Sequence, residues 1–325
     1  MTAVVTGVGV VLPRAASAAE LMEPRPPGAD PVEPKDLVGK KGLRYKDRAT
    51  QLAYCAADAA LRDALLLGDT GLSVPGQSVA VVASSNYGNV DTVCQAVDTI
   101  AAQTAAAASP MSLPNASSNV IASSIAIRFG LRGPNLMLCN GATSGLDAVR
   151  WAQVLLQGGR ASRVLVVGVE PDNETVRELT GGAATVDGAA ALVLEDATAA
   201  AERGAAALAV VGRYARGAGL TACLEHLAVA SSGGPALWQV PESRTGRSAG
   251  RVAGPGGDSA GLLAGVTRHD LGELFGIGSG ALGVLQCAAA VGWFALGGAG
   301  PVYATAGTDA DDATSGLVLS ERATA

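Results

Sequence analysis

Few residues in this chain are able to do covalent chemistry. It holds five cysteines (Cys55, Cys94, Cys139, Cys223 and Cys287) and two histidines, His226 and His269. The cysteines are odd in number, scattered and without C-x-x-C spacing. That predicts reduced thiols and no zinc site. One stretch has the form of a nucleophile turn, Gly133 to Gly158, GPNLMLCNGATSGLDAVRWAQVLLQG. Leu136, Met137 and Leu138 read as a short buried strand and Asn140-Gly141 as a tight turn. Thr143 or Ser144 then caps a helix whose apolar positions Leu146, Ala148, Val149, Ala152, Val154, Leu155 and Leu156 leave little polar face. Such a turn presents its first helical residues at a helix N-terminus, where anionic intermediates are stabilised. The residue standing where a nucleophile would act is Ala142, and a methyl group attacks nothing.

The other candidates carry weaker signals. Cys139, three residues before Ala142, is a possible substitute thiol, but the strand pattern reads it as a small core residue. His226 beside Glu225 and His269 within TRHD read as surface or capping residues. Asp309, Asp311 and Asp312 form an acidic run without calcium-loop spacing, so a solvated loop is expected and no metal. Gly7 and Gly9 lack the third glycine of a dinucleotide fingerprint, and their run meets Pro13 instead of opening a helix. No cofactor is expected.

The elements that must position these residues alternate between strand and helix. Ala3 to Leu12 reads as a strand, residues 14–44 as a loop or cap rich in Pro, Gly and charge, and Asp47 as the N-cap of a helix to about Leu66. A strand over Ser78 to Ala83 leads into the polar loop Ser84 to Gly88, and a helix spans Val90 to Ala105. After the central helix, Arg163 to Gly168 reads as a strand buried on both faces. Glu170 to Thr185 reads as loop with some helix, and Ala189 to Glu195 as a strand. A second half begins near Ala205. It has strands at Ala206 to Val211 and Ala236 to Val240, a helix at Leu220 to Ala230 and a loop from Pro241 to Gly257. It ends with a buried helix, Gly280 to Leu296, and strands at Pro301 to Thr305 and Ser315 to Leu319. The halves echo one another. Asp187 followed by Leu192-Val193-Leu194 recurs as Asp312 followed by Leu317-Val318-Leu319, each as a final strand.

Composition excludes some partners. The 325 residues are 49% hydrophobic with 3% aromatic, and the formal net charge is −6. A chain of that length buries a sizeable core, and its acidity argues against nucleic acid or an anionic membrane as partner. The N-terminal MTAVVTGVGVVLP lacks a basic region and reads as a strand rather than a signal peptide. The longest apolar run, Ala281 to Gly298, is interrupted by Gln286 and glycines and reads as a core helix rather than a membrane span. A cytoplasmic location is expected.

The motifs resemble those of the β-ketoacyl synthases. Gly133-Pro134-Asn135, the short strand and Ser144-Gly145 match that family's nucleophile segment, whose active cysteine falls on Ala142. DRATQLAYCAADAAL, MSLPNASSNVIASSIAIRFGLRGPN and Asp187-Gly188 with Leu192 to Glu195 also match, so the resemblance covers most of the chain. It implies an α/β, thiolase-like layered fold (αβαβα) of two similar halves. These are residues 1–200 with cap and interface insertions and a shortened 201–325, joined as one unit.

The resemblance also locates what is missing. The family's K-x-x-x-G-H-T-x-G-A-A-G pattern aligns with Gly272 to Gly283, placing Gly272 at the lysine and Ile277 at the histidine. Its H-G-T-G-T histidine is absent from LWQVPESRTGRSAG, and its glycine-rich final loop is replaced by GTDADDATSG. The concurrent losses argue against an isolated Cys-to-Ala change. They imply a non-condensing subunit similar to the chain-length factors of type II polyketide synthases. Such a subunit would pair with an active ketosynthase as a heterodimer, meet acyl carrier protein through that complex and shape the acyl tunnel. Residues 86–90 and 111–129 would supply interface and tunnel, with Asn86, Tyr87, Met111, Leu113, Ile121 and Phe129 the residues to suspect. Two alternatives stay open: an acyltransferase or decarboxylase using another nucleophile such as Cys139, and a homodimeric protein holding an acyl ligand in the dead pocket.

Overall fold

Glycine spacing decides how closely the first strand and first long helix approach. The computed structural model describes residues 1–322 except 27, 29, 111–112, 230–233 and 243–262. Strand β1 (Ala3–Val11) lies under α3 (Arg48–Asp63). A Cβ on Gly7 would stand 2.4 Å from the Ala60 carbonyl oxygen, and one on Gly9 2.2 Å from that of Ala56. These glycines therefore serve helix-on-strand packing. Helix α3 starts where Asp47 accepts the Thr50 N–H at 2.7 Å, and it buries Leu52, Ala53, Ala56, Ala60 and Leu61.

The remaining elements follow in order. Short helices α1 (Ala18–Met22) and α2 (Pro34–Val38) occupy the segment expected to be loop or cap. A small hairpin, β2 (Leu67–Gly68) with β3 (Gly71–Leu72), precedes β4 (Val79–Ser84), α4 (Val90–Gln103), α5 (Val120–Phe129) and β5 (Asn135–Leu138). Then come α6 (Ser144–Gln157), β6 (Arg163–Glu170), α7 (Glu174–Leu179), β7 (Gly188–Asp196) and α8 (Ala197–Glu202). The last third holds β8 (Ala209–Gly217), α9 (Leu220–Ala228), β9 (Leu237–Gln239), β10 (Thr267–His269) and α10 (Leu271–Phe275). It closes with α11 (Leu282–Ala295), β11 (Val302–Ala306) and β12 (Thr314–Ser320). Strand β8 begins three residues later than expected and runs on through Arg213 and Arg216. Its pairing with β12 carries the strand past both arginines.

Ten strands form one mixed sheet in the order β10-β9-β11-β12-β8-β1-β7-β6-β4-β5. From β1 outward the order is β7, β6, β4, β5; from β8 outward it is β12, β11, β9, β10. Each run places its own first, fifth, fourth, second and third strand side by side. The echoing strands β7 and β12 take equivalent places, each pairing antiparallel with two neighbours. The two runs join where Ala3, Val4 and Val5 of β1 pair with Val211, Val210 and Ala209 of β8. Helices α6 and α11 pack against each other in the largest core, which draws residues from strands of both runs. Helices α3 and α5 cover one outer face, with Val81, Leu165 and Val193 beneath them, and α9 covers the other over Trp238 and Tyr303. This is the layered α/β fold.

The strand before the nucleophile turn departs from expectation. Leu136, Met137 and Leu138 were expected buried, yet all three are only half-buried, because β5 is the edge of the sheet with β4 on one side only. No described helix is long and apolar enough to cross a membrane.

Candidate active-site cleft

The turn after β5 leads straight into the central helix. Residues Gly141–Thr143 make one 3-10 turn and α6 follows from Ser144. Neither hydroxyl makes the expected cap bond. Thr143 Oγ1 instead donates to Asp147 at 2.8 Å, and the Ser144 hydroxyl accepts the Asn140 N–H at 2.9 Å. Asp147, buried at 7% exposure, also accepts from Asn140 Nδ2 and from the Tyr214 hydroxyl, with Arg216 Nε 3.6 Å away. Burial raises the Tyr214 pKa first, and the Asp147 carboxylate raises it further. This network ties strand β8 to the head of α6.

Ala142 lies on the wall of a cleft of about 1080 Å³. The cleft is lined from both halves of the sheet: Asn86, Tyr87, Cys139 and Asn140 from one, Arg216, Glu242, Ile277, Ser279 and Asp312 from the other. Asn86 binds its loops together. Its Nδ2 donates to Gly141 O at 3.0 Å and Ser279 Oγ at 2.9 Å. Its Oδ1 accepts the Gly141 N–H at 3.2 Å and the Ser144 hydroxyl at 3.0 Å.

Two carboxylates hold the loop ahead of α11 by its backbone. Glu170, fully buried, accepts the N–H groups of Asn86 (2.7 Å), Tyr87 (3.0 Å) and Gly280 (2.8 Å), and the Ser85 hydroxyl (2.9 Å). Burial raises its pKa against the pull of those donors. Glu242 accepts the N–H of Gly278 and, at 3.1 Å, that of Ser279. Its pKa is raised to about 7, first by burial and then by Glu170 and Asp270, against the two N–H bonds. Ser279 sits between them at φ 43°, a left-handed conformation that a non-glycine residue adopts at a cost.

The sequence-derived candidates separate clearly. Asn86 and Tyr87 line the cleft, as do Ala142 and Ile277. Ile277 is fixed by its backbone, donating to Ala184 O at 3.1 Å and accepting from Val186 N at 3.0 Å. A Cβ on Gly272 would lie 3.8 Å from Glu242 Oε1. Ile121 is fully buried in the outer core, and Phe129 packs edge-on to Tyr54 at 6.4 Å. Neither lines the cleft. Leu113 is exposed. Met111 lies outside the described residues, as does most of the loop Pro241 to Gly257 and everything past Glu242 in LWQVPESRTGRSAG.

Two expectations are corrected. Cys139 is not a core residue: it is exposed and lines the cleft, because the edge strand ends at Leu138 and releases the next residue from the sheet. Partial burial and then Glu170 raise its thiol pKa. His269 is not a surface residue: it is buried, with Nδ1 2.8 Å from Gln239 Oε1, and burial lowers its pKa. It ends the edge strand β10, where a side chain pointing inward reaches Gln239 of β9. His226 is exposed, with Nδ1 2.8 Å from Ala222 O. Asp309 accepts the Leu220 N–H at 2.8 Å and Asp311 that of Thr308 at 2.8 Å, while Asp311 and Asp312 border the cleft.

Glu242 escaped the sequence reading altogether. The available signal was its place: an acid one residue past Pro241, just beyond a buried strand, in the stretch where the family's histidine was sought.

Fold and cleft together define a ketosynthase-fold protein. Residues 35–185 match the family model described as the beta-ketoacyl synthase, N-terminal domain. The 3-oxoacyl-[acyl-carrier-protein] synthase 2 of Vibrio harveyi is 26% identical over 138 residues, which cover 42% of this chain and 32% of that protein. The match thus spans about a third of that relative. Three solved structures each cover 99% of this chain and are themselves covered to 99%. They are the ishigamide ketosynthase/chain length factor (TM-score 0.78, 23% identity), a type II PKS acyl-carrier protein in complex with its ketosynthase (0.79, 14%) and a beta-ketoacyl synthase from Burkholderia phymatum STM815 (0.74, 16%).

Proposed function

We propose that the chain is a non-condensing subunit of the chain-length-factor type, which pairs with a cysteine-bearing ketosynthase and shapes the tunnel for a growing acyl chain. The observation that carries this reading is the intact elbow with Ala142 on it. The turn, the helix head and the cleft are built, and the thiol is missing. No histidine stands among the described residues lining the cleft. Decarboxylative condensation needs a thioester-forming thiol and donors for the enolate. In this reading acyl carrier protein meets the chain through the complex, in the cytoplasm, without cofactor, metal or nucleic acid. The division near residue 200 is that between two copies of one α/β unit.

A partner face supports the reading. Edge strand β5 offers unpaired backbone groups, and the two helices packed against it, α5 and α6, carry exposed Ile127 (83%), Trp151 (47%) and Val154 (36%). An uncovered strand edge flanked by large apolar side chains is where a second chain adds. Exposed Leu113, with Met111 nearby in sequence, is the first position to test for contact with the tunnel end. Ile121 and Phe129 act there through packing.

Native mass tests the pairing. A one-to-one complex on co-expression with a ketosynthase from the same organism is expected; a stable homodimer that ignores the ketosynthase sinks the proposal. Within the complex, Met111→Gly or Leu113→Gly lengthens the product, since an apolar chain grows only into free volume.

The exposure of Cys139 beside Ala142 favours one second reading, acyl transfer through that thiol. Labelling of this chain by a radioactive acyl thioester, lost in Cys139→Ser, would establish it. A thiol pKa raised by burial and by Glu170 works against it.

A further inference from the structure

We infer that the cleft beside Ala142 hydrolyses neutral acyl thioesters, with Glu242 as general base. The inference rests on the reading that this chain works among acyl thioesters, and adds an activity to it.

Glu242 has the placement of a base. It lines the same cleft as Ala142, Cys139 and Asn140. Its two oxygens are each oriented by one backbone N–H, from Gly278 and Ser279. Each keeps a lone pair for a water molecule. A hydrogen-bonded path joins it to the elbow: Ser279 Oγ accepts from Asn86 Nδ2, and the Asn86 amide holds both the N–H and the carbonyl of Gly141. Base and elbow are therefore fixed relative to one another. Ala142, on the turn that leads into the 14-residue helix α6, lines this cleft, and the dipole of that helix favours a developing oxyanion beside the turn.

The lining selects the substrate. Glu178, Glu242, Asp311 and Asp312 line the cleft with Arg216 as the one cation among its described lining residues. A malonyl carboxylate entering there meets like charge; an uncharged acyl group does not. A base titrating close to neutral pH also suits water activation, and burial places Glu242 there.

The step balances without a further reagent. Glu242 takes a proton from water as the water oxygen bonds to the thioester carbonyl carbon. The tetrahedral oxyanion forms beside the Ala142 turn, ahead of α6. Its collapse breaks the C–S bond, and the proton on Glu242 passes to the departing thiolate. The products are a carboxylic acid and a free thiol.

The test is thiol release from the octanoyl thioester of N-acetylcysteamine, followed with a thiol-reactive dye on the purified full chain. Native mass of the same preparation reports pairing separately, so failure of one reading leaves the other standing. Release above the buffer rate, falling about a hundredfold in Glu242→Gln and rising with pH to a plateau above about 7, supports the inference. Release at the buffer rate overturns it. So does release undiminished in a folded Glu242→Gln, or release lost in Cys139→Ser but kept in Glu242→Gln. If Glu242→Gln does not fold, a wild-type rate that is flat across neutral pH overturns it.

Discussion

Gly145 and Gly283 touch backbone to backbone where the two central helices cross. A Cβ on Gly145 would stand 2.6 Å from Gly283 N, and one on Gly283 would stand 2.3 Å from Leu146 N. Each glycine is the second residue of a 14-residue helix, and each helix follows a three-residue 3-10 turn. The contact therefore lies between equivalent points of the two halves. Gly283→Ala should cost about 2–3 kcal/mol by overpacking against backbone that has nowhere to move. Urea unfolding measures it, and a loss below experimental error would mean that the helices slide apart freely.

Glu195 should be the most sensitive charge in the fold. It is fully buried between Arg163 (3.0 Å) and Arg203, and it accepts the Thr6 hydroxyl at 2.6 Å. Glu195→Gln leaves two partly buried cations facing a neutral amide. Breaking such a site from one side costs about 3–5 kcal/mol, readable as a large drop in the denaturation midpoint. Retained stability would show that water already screens the site.

The pH dependence of stability should carry the mark of Glu242. Its folded pKa, about 7, lies above the usual carboxylate value of 4.5. The folded chain therefore holds the proton more tightly than the unfolded chain. The contribution is most favourable at low pH and declines as pH rises from 4.5 to about 7, by about 3 kcal/mol. The melting temperature of Glu242→Gln relative to wild type should rise across that window and level off above it. A difference independent of pH would place the carboxylate in ordinary solvent.

Thiol labelling should rank the cysteines by position. Cys139 is exposed, whereas Cys55, Cys223 and Cys287 are buried, the first two with thiols pushed up to about 11. Brief iodoacetamide treatment of the folded chain, read by peptide mass, should modify Cys139 ahead of those three. Modification of Cys223 first would contradict the packing of α9.

Ala142→Cys alone should not restore condensation. The thiol would return to the elbow, but neither histidine lines the cleft: His226 is on the exposed side of α9, and His269 is buried against Gln239. Acyl loading without carbon–carbon bond formation is the expected result. Full condensation by that variant would show that the cleft supplies its own enolate donors.

The sequence by itself determined the alternation of strand and helix, the elbow with Ala142, and the repeat of β7 in β12. These are local signals: apolar period, turn residues and short motifs, each written in contiguous residues. Even the Gly145 and Gly283 contact was present as two motif glycines, though not as a contact. Tertiary structure alone decided the rest. Cys139 left the core because β5 is an edge strand, and edge position depends on strand order, which no window of sequence contains. His269 went inward for a reason of the same kind, the neighbour that β10 found in β9. Glu242 became a cleft residue with a near-neutral carboxyl because Gly278, Ser279, Glu170 and Asp270 close around it from distant parts of the chain. Desolvation is a property of everything packed around a group, so it is set only when the chain has folded.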